Sequence, residues 1–130
     1  MAHQILLNRE KVVSLQSETD IIKMKQDTIE ILSKVKQELH SIVPEGSKIL
    51  LFGSRARGTE RLDSDWDILI LLNREGQASI DDYNTIGYSI NTVFWMMNYD
   101  VNTIIQTESE WQSKSFTPFY KNVMEDAIII

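Results

Sequence analysis

Between Ser17 and Val43 the apolar residues Met24, Ile31, Leu32, Val35, Leu39 and Ile42 recur at steps of three and four, which lays a single apolar stripe along an α-helix. Ser17 and Asp20 match a capping box at its start, and Pro44-Glu45-Gly46 ends the pattern. The preceding "ILLNREKVVSL" has no such period and reads either as a short separate helix or as an arm docked elsewhere. Two runs then abandon helical spacing. "KILLF", residues 48–52, is short and apolar and stops at Gly53, as a buried strand feeding a turn does. "WDILILL", residues 66–72, is apolar on both faces from Ile68 onward, which places it centrally in a covered sheet.

"NREGQ" reads as a turn, after which Ser79 and Asp82 form a second capping box. Ile80, Tyr83, Ile86, Ile90, Val93 and Met97 continue at helical spacing, with Gly87 weakening the segment slightly. "YDVNTIIQT" is rich in β-branched residues and reads as a third strand carrying one acid, Asp100. Thr117-Pro118 caps a short last helix, "PFYKNVMEDA". The order helix, strand, strand, helix, strand, helix predicts an α/β (α+β) fold: a small mixed sheet packed with helices, with a long N-terminal helix. At 130 residues and 42% hydrophobic, the chain is expected to form one domain, with residues 1–46 as its N-terminal helical segment and 47–130 as its core.

Composition narrows the classes. With no cysteine, disulfides and thiolate-bound zinc are excluded, and a reducing cytoplasm is the expected setting. No signal-peptide region and no apolar run approaching about 20 residues appears, so a soluble protein without a membrane role is expected. A net charge of −6 disfavours general nucleic-acid binding through a basic face. Arg55, Arg57 and Arg61 nevertheless form a local basic cluster.

The chemistry gathers in "LFGSRARGTERLDSDWDILILL", residues 51–72. Residues two apart on a strand project to the same side, so Asp65 and Asp67 point together while Trp66 faces the other way. Two carboxylates make a hard-oxygen site of the kind that holds magnesium jointly with substrate phosphates. Asp100 would be a third acid if its strand lies beside that of Asp67, and three such carboxylates suit two metal ions about 3.5–4 Å apart. Upstream, Gly53 allows close backbone approach to a phosphate, Ser54 adds a hydroxyl donor, and Arg55 and Arg57 add positive charge, so a triphosphate is expected there. An EF-hand loop fails, because Ile68 and Arg74 stand where it needs glycine and glutamate. "GSRARG" fits neither a Walker A loop nor a dinucleotide fingerprint. A glycosidase acid pair is compatible with the spacing, with nothing else favouring sugar hydrolysis.

"GSRARGTERLDSDWDILI" resembles the nucleotidyltransferase signature of the DNA polymerase β superfamily, in its minimal, kanamycin nucleotidyltransferase-like form. The resemblance runs from about Lys48 to Asp100 and more loosely through the tail. It implies transfer of a nucleoside monophosphate from a nucleoside triphosphate, ATP foremost, with release of pyrophosphate. It also implies Gly53 and Ser54 at the triphosphate, Asp65 and Asp67 as Mg2+ ligands, and Asp100 as third ligand or general base. Larger relatives close the site with a helical domain that is not expected here, which implies cover by a second copy in a homodimer or by another protein. Minimal relatives are often paired with a small helical partner of the HEPN type, some as antitoxins that nucleotidylate it.

Blander readings stand beside these. Paired acids at a strand entrance also serve to discourage edge pairing. Asp63 reads as a surface acid or turn former, and Arg61 as a surface residue. Arg57 reads equally as a phosphate ligand or as a partner of Glu60 or Asp63. His3 and His40 lack ligand spacing, His40 suiting a helix C-terminus. Trp95, Met96 and Met97 read as core packing rather than as a nucleotide pocket.

Overall fold

The computed structural model describes residues 23–130, together with the backbone of two short strands, β1 (Ile5–Leu6) and β2 (Val12–Val13). These pair antiparallel, Ile5 opposite Val13 and Leu6 opposite Val12, where the sequence pattern suggested a helix or an arm. His3 and the Ser17–Asp20 box lie outside the described residues.

Helix α1 spans Gln26–Ile42 and buries Ile31, Leu32, Val35 and Leu39 of the stripe read from the sequence, together with Thr28, while Ile42 is partly buried. It starts later than its periodicity suggests because Lys25 is extended, at φ −71° and ψ 153°. The Lys25 ammonium instead donates to the carbonyl of Glu60 at 2.7 Å. In its last turn, His40 donates from Nε2 to the carbonyl of Ile130 at 2.8 Å, tying the helix to the chain's end.

A four-stranded mixed sheet follows, built from β3 (Lys48–Phe52), β4 (Trp66–Leu72), β5 (Val101–Thr107) and β6 (Ile128–Ile129) in the order β5-β4-β3-β6. β4 runs antiparallel to β3 and parallel to β5, and β6 closes the other side of β3 antiparallel. Alternation along β4 feeds two separate cores. Trp66, Ile68, Ile70 and Leu72 pack with α1 on one face, whereas Leu69 and Leu71 pack with Trp111, Tyr120, Val123 and Met124 on the other. The second layer comes from α5 (Glu108–Ser113) and α6 (Pro118–Asp126). Thr117 caps α6 as expected, accepting from the Tyr120 amide. Two elements have no strong sequence signal: β6 is two residues long, and α5 is six, opened by a Thr107–Glu110 capping box.

The segment after β4 corrects the sequence reading. It consists of α3 (Ile80–Asp82), a π-helical turn (Tyr83–Gly87) and α4 (Tyr88–Trp95). A π turn carries extra residue per turn, so the apolar face before it falls out of phase with the face after it. Ile90 and Val93 are therefore buried, while Ile80 is 75% exposed. Trp95 and Met96, off the buried stripe of α4, are exposed and not packed in the core, with only Met97 against it.

The Ser79–Asp82 capping box forms with both reciprocal bonds. Arg74 grips Asp82 from both guanidinium nitrogens, Nη1 to Oδ1 at 2.9 Å and Nη2 to Oδ2 at 2.5 Å. That grip, helped by Ser79, holds the Asp82 carboxyl down at about 2. A depressed carboxyl stabilises the fold fully above its unfolded range, near 4, and the gain is lost as pH falls toward 2. Urea midpoints for wild type and Asp82→Asn should differ most at pH 5 and above and converge as pH falls from 4 to 2; a gap that widens on acidification contradicts this linkage.

Candidate active site

The site is assembled where β3 stops beside the entrance of β4. Phe52, the last residue of β3, has Asp67 as its partner across the strand pair. The chain then turns at Gly53, with φ 78° and ψ −159°, into α2 (Ser54–Arg57), which ends on the left-handed Gly58. A Cβ on Gly53 would overlap Oδ2 of Asp67. Only glycine satisfies both that backbone and a carboxylate pressed against it. The turn and the acid are thus one fitted unit.

Asp65 and Asp67 share the face of β4 opposite Trp66, as alternation requires. Trp66 is buried behind them, its ring 5.1 Å from Phe94 and 5.8 Å from Tyr99, centroid to centroid. The residue that meets the acid pair from β5 is Asn102, which lies opposite Asp67 in the parallel register. Its Nδ2 donates to Oδ1 of Asp67 at 3.0 Å and to Oδ2 of Asp65 at 3.4 Å. Asp100 does not take that place. It precedes β5, its side chain is exposed, and its carbonyl accepts from the Trp66 amide at 2.9 Å. Among the described residues, no three of His, Cys, Asp and Glu converge as a metal-holding group. Hydrogen bonds join two of the expected acids to an amide.

Burial pushes the Asp67 carboxyl above its ordinary range; Asp65 adds to the rise, while the Asn102 hydrogen bond and the positive charge of Arg57 oppose it. Arg57 is thus an electrostatic neighbour of the site, although its nearest partner is Asp126 on α6, at 2.6 Å. Neither Glu60 nor Asp63 pairs with it. The Glu60 carboxylate is buried, accepting from the Thr28 hydroxyl at 2.8 Å, and Asp63 and Arg61 lie exposed.

Arg55 points elsewhere. It is only 3% exposed, and its guanidinium lies 4.5 Å from the Trp66 ring and 5.1 Å from the Tyr99 ring, on the far side of β4 from Asp67. From there Nε and Nη2 donate to the carbonyl of Ser64, at 3.3 and 2.9 Å. Its place in the fold is therefore behind the acids, fixing the residue that precedes Asp65. Ser54, by contrast, opens α2 half-buried beside Gly53.

Asn102 carries no charge, so "YDVN", with two polar residues on one strand face, marks Asp100 and not Asn102 as a candidate. The parallel register that chooses between them is a tertiary fact. Asp126, 69 residues from Arg57, has no local signal at all.

Comparison with known proteins identifies this architecture. The nucleotidyltransferase domain family matches residues 32–130, and the chain belongs to that family. A protein of Methanocaldococcus jannaschii named "Putative protein adenylyltransferase MJ0604" is 31% identical over 83 residues, covering 64% of this chain and 76% of that protein.

Because its folded carboxyl is raised, ionised Asp67 costs stability, and the cost grows as pH rises from the unfolded range near 4 through the folded value. Asp67→Asn should accordingly raise the thermal midpoint at pH 7 by a few degrees. The gain should shrink below pH 4; a variant less stable than wild type at pH 7 contradicts this picture of the site.

Proposed function

We propose that this chain transfers a nucleoside monophosphate, AMP from ATP in the first instance, to an acceptor hydroxyl and releases pyrophosphate. The observation that carries the reading is the convergence of Asp65 and Asp67 on one face of β4, with Asp67 pressed against the Gly53 turn. The donor set suits magnesium, a hard cation held by one or two carboxylates and completed by substrate phosphates. Asp65 and Asp67 would hold it, and their close approach and the half-burial of Asp67 favour binding of a cation. The chemistry it supplies is neutralisation of charge on the phosphates.

The protein's own residues do the rest. Gly53 lets the backbone approach the triphosphate, Ser54 offers a hydroxyl donor beside it, and Arg57 contributes positive charge nearby. Arg55, stacked on Trp66 and bound to Ser64, keeps Asp65 in place from behind. The acceptor oxygen attacks the α-phosphorus as the bond to the bridging oxygen breaks. Pyrophosphate leaves, and the acceptor's proton passes to a base.

A protein acceptor agrees with the name of the M. jannaschii relative. A second reading, an antitoxin-like subunit that docks a small helical partner of the HEPN type, draws on a different feature. Between α1 and α4 lies a groove of about 590 Å³, lined by Val35, Ile42, Tyr88, Val93 and Met96 together with Lys34, Glu38, Ser89 and Thr92. Tyr88 and Met96 are 61% and 79% exposed there. Such a face suits a protein partner, a second copy of the chain included.

Incubation with ATP labelled on the α-phosphate, magnesium and a co-expressed partner tests the transfer. Label should move to protein with wild type and fall about 100-fold or more with Asp65→Asn or Asp67→Asn. Equal labelling in all three, or none with wild type, contradicts the proposal. Label on the partner favours a nucleotidylating antitoxin, and a stable unlabelled complex favours the docking subunit.

A further inference from the structure

We infer that Asn102 restricts this site to one divalent cation per bound nucleotide and holds the two aspartates converged until that cation arrives. The inference rests on the nucleotidyl-transfer reading and concerns the same site.

An ionised carboxylate only accepts hydrogen bonds. The group that meets Asp65 and Asp67 together must therefore be the amide nitrogen of Asn102, as its 3.0 and 3.4 Å contacts show. One neutral donor thus spans two like charges. It relieves their repulsion without supplying a counter-charge, and it occupies an oxygen of each carboxylate. Each carboxylate keeps its second oxygen for a cation, while the Gly53 turn keeps Asp67 where it is.

The register makes the charge count consequential. Asn102 stands on β5 opposite Asp67, where a third acid would complete a two-metal cluster; Asp100, two residues earlier and exposed, does not group with the pair among the described residues. Two divalent ions side by side repel about four times as strongly as two unit charges at the same separation. Three carboxylates offset that repulsion; two carboxylates and an amide do so far less well. With a single cation, support goes to the phosphates and the departing pyrophosphate. Asn102 acts through the aspartates and is a positioning residue in this account.

Equilibrium dialysis of the purified chain against Mn2+ and α,β-methylene-ATP, counting bound Mn2+ per bound nucleotide, tests this directly. Wild type should retain one Mn2+ per nucleotide, with the sharp electron-spin resonance of an isolated ion. Asn102→Asp should retain two, with the spectrum broadened by coupling between ions about 4 Å apart. Two Mn2+ per nucleotide in wild type, or one in a folded Asn102→Asp, overturns the inference while leaving the transfer reading intact. If the aspartate variant does not fold, the wild-type count decides alone. A wild type that retains neither nucleotide nor Mn2+ contradicts the transfer reading and removes the ground of this inference.

Discussion

Two carboxylates that repel one another are held side by side at the mouth of β4, and the surrounding structure follows from that constraint. Asp67 is half-buried and leans on Gly53, which no larger residue can replace. Asn102 crosses from the neighbouring strand to bridge the pair. Arg57 contributes the nearby positive charge, itself held by Asp126 from the last helix. The arrangement is costly in the free protein, as functional sites often are, because burial disfavours charge on Asp67.

The cost is supported from behind. β4 is central and buried on both faces, with Trp66 packed against Phe94 and Tyr99 under the acids. Arg55 lies on that aromatic surface and grips the Ser64 carbonyl one residue before Asp65. A planar guanidinium suits this place better than an ammonium would, since it stacks and donates twice at once. The nucleotidyltransferase signature thus serves both faces of the sheet, the aspartates and Gly53 on one and Arg55 on the other.

Much of this was legible in the chain, and the remainder fails for identifiable reasons. Alternation in "WDILILL" separated Trp66 from the aspartates, and Ser79–Asp82 announced the start of a helix. Periodicity could not foresee the π turn over Tyr83–Gly87, because an inserted residue changes phase without changing composition. Trp95 and Met96 lie outside because the buried stripe of α4 runs through Ile90, Val93 and Phe94. Asp100 and Asn102 share one strand face, and the pairing of β5 with β4 sets Asn102 opposite Asp67, with Asp100 earlier at the strand's entrance. Arg55 looked like a phosphate ligand because charge was read from sequence proximity to Gly53, whereas α2 turns that side chain to the opposite face. Short elements such as β6 carry too few residues to show a period of their own.

That Asp65 and Asp67 jointly seat the cation of a nucleoside triphosphate is the claim on which the functional account depends. The most direct measurement is anomalous diffraction at the manganese edge from crystals grown with Mn2+ and a non-hydrolysable ATP analogue. The account predicts an anomalous peak bridging the Asp65 and Asp67 carboxylates, with the triphosphate lying along the Gly53–Ser54 turn. Nucleotide bound away from that turn, or both carboxylates left without metal while nucleotide is present, would contradict it.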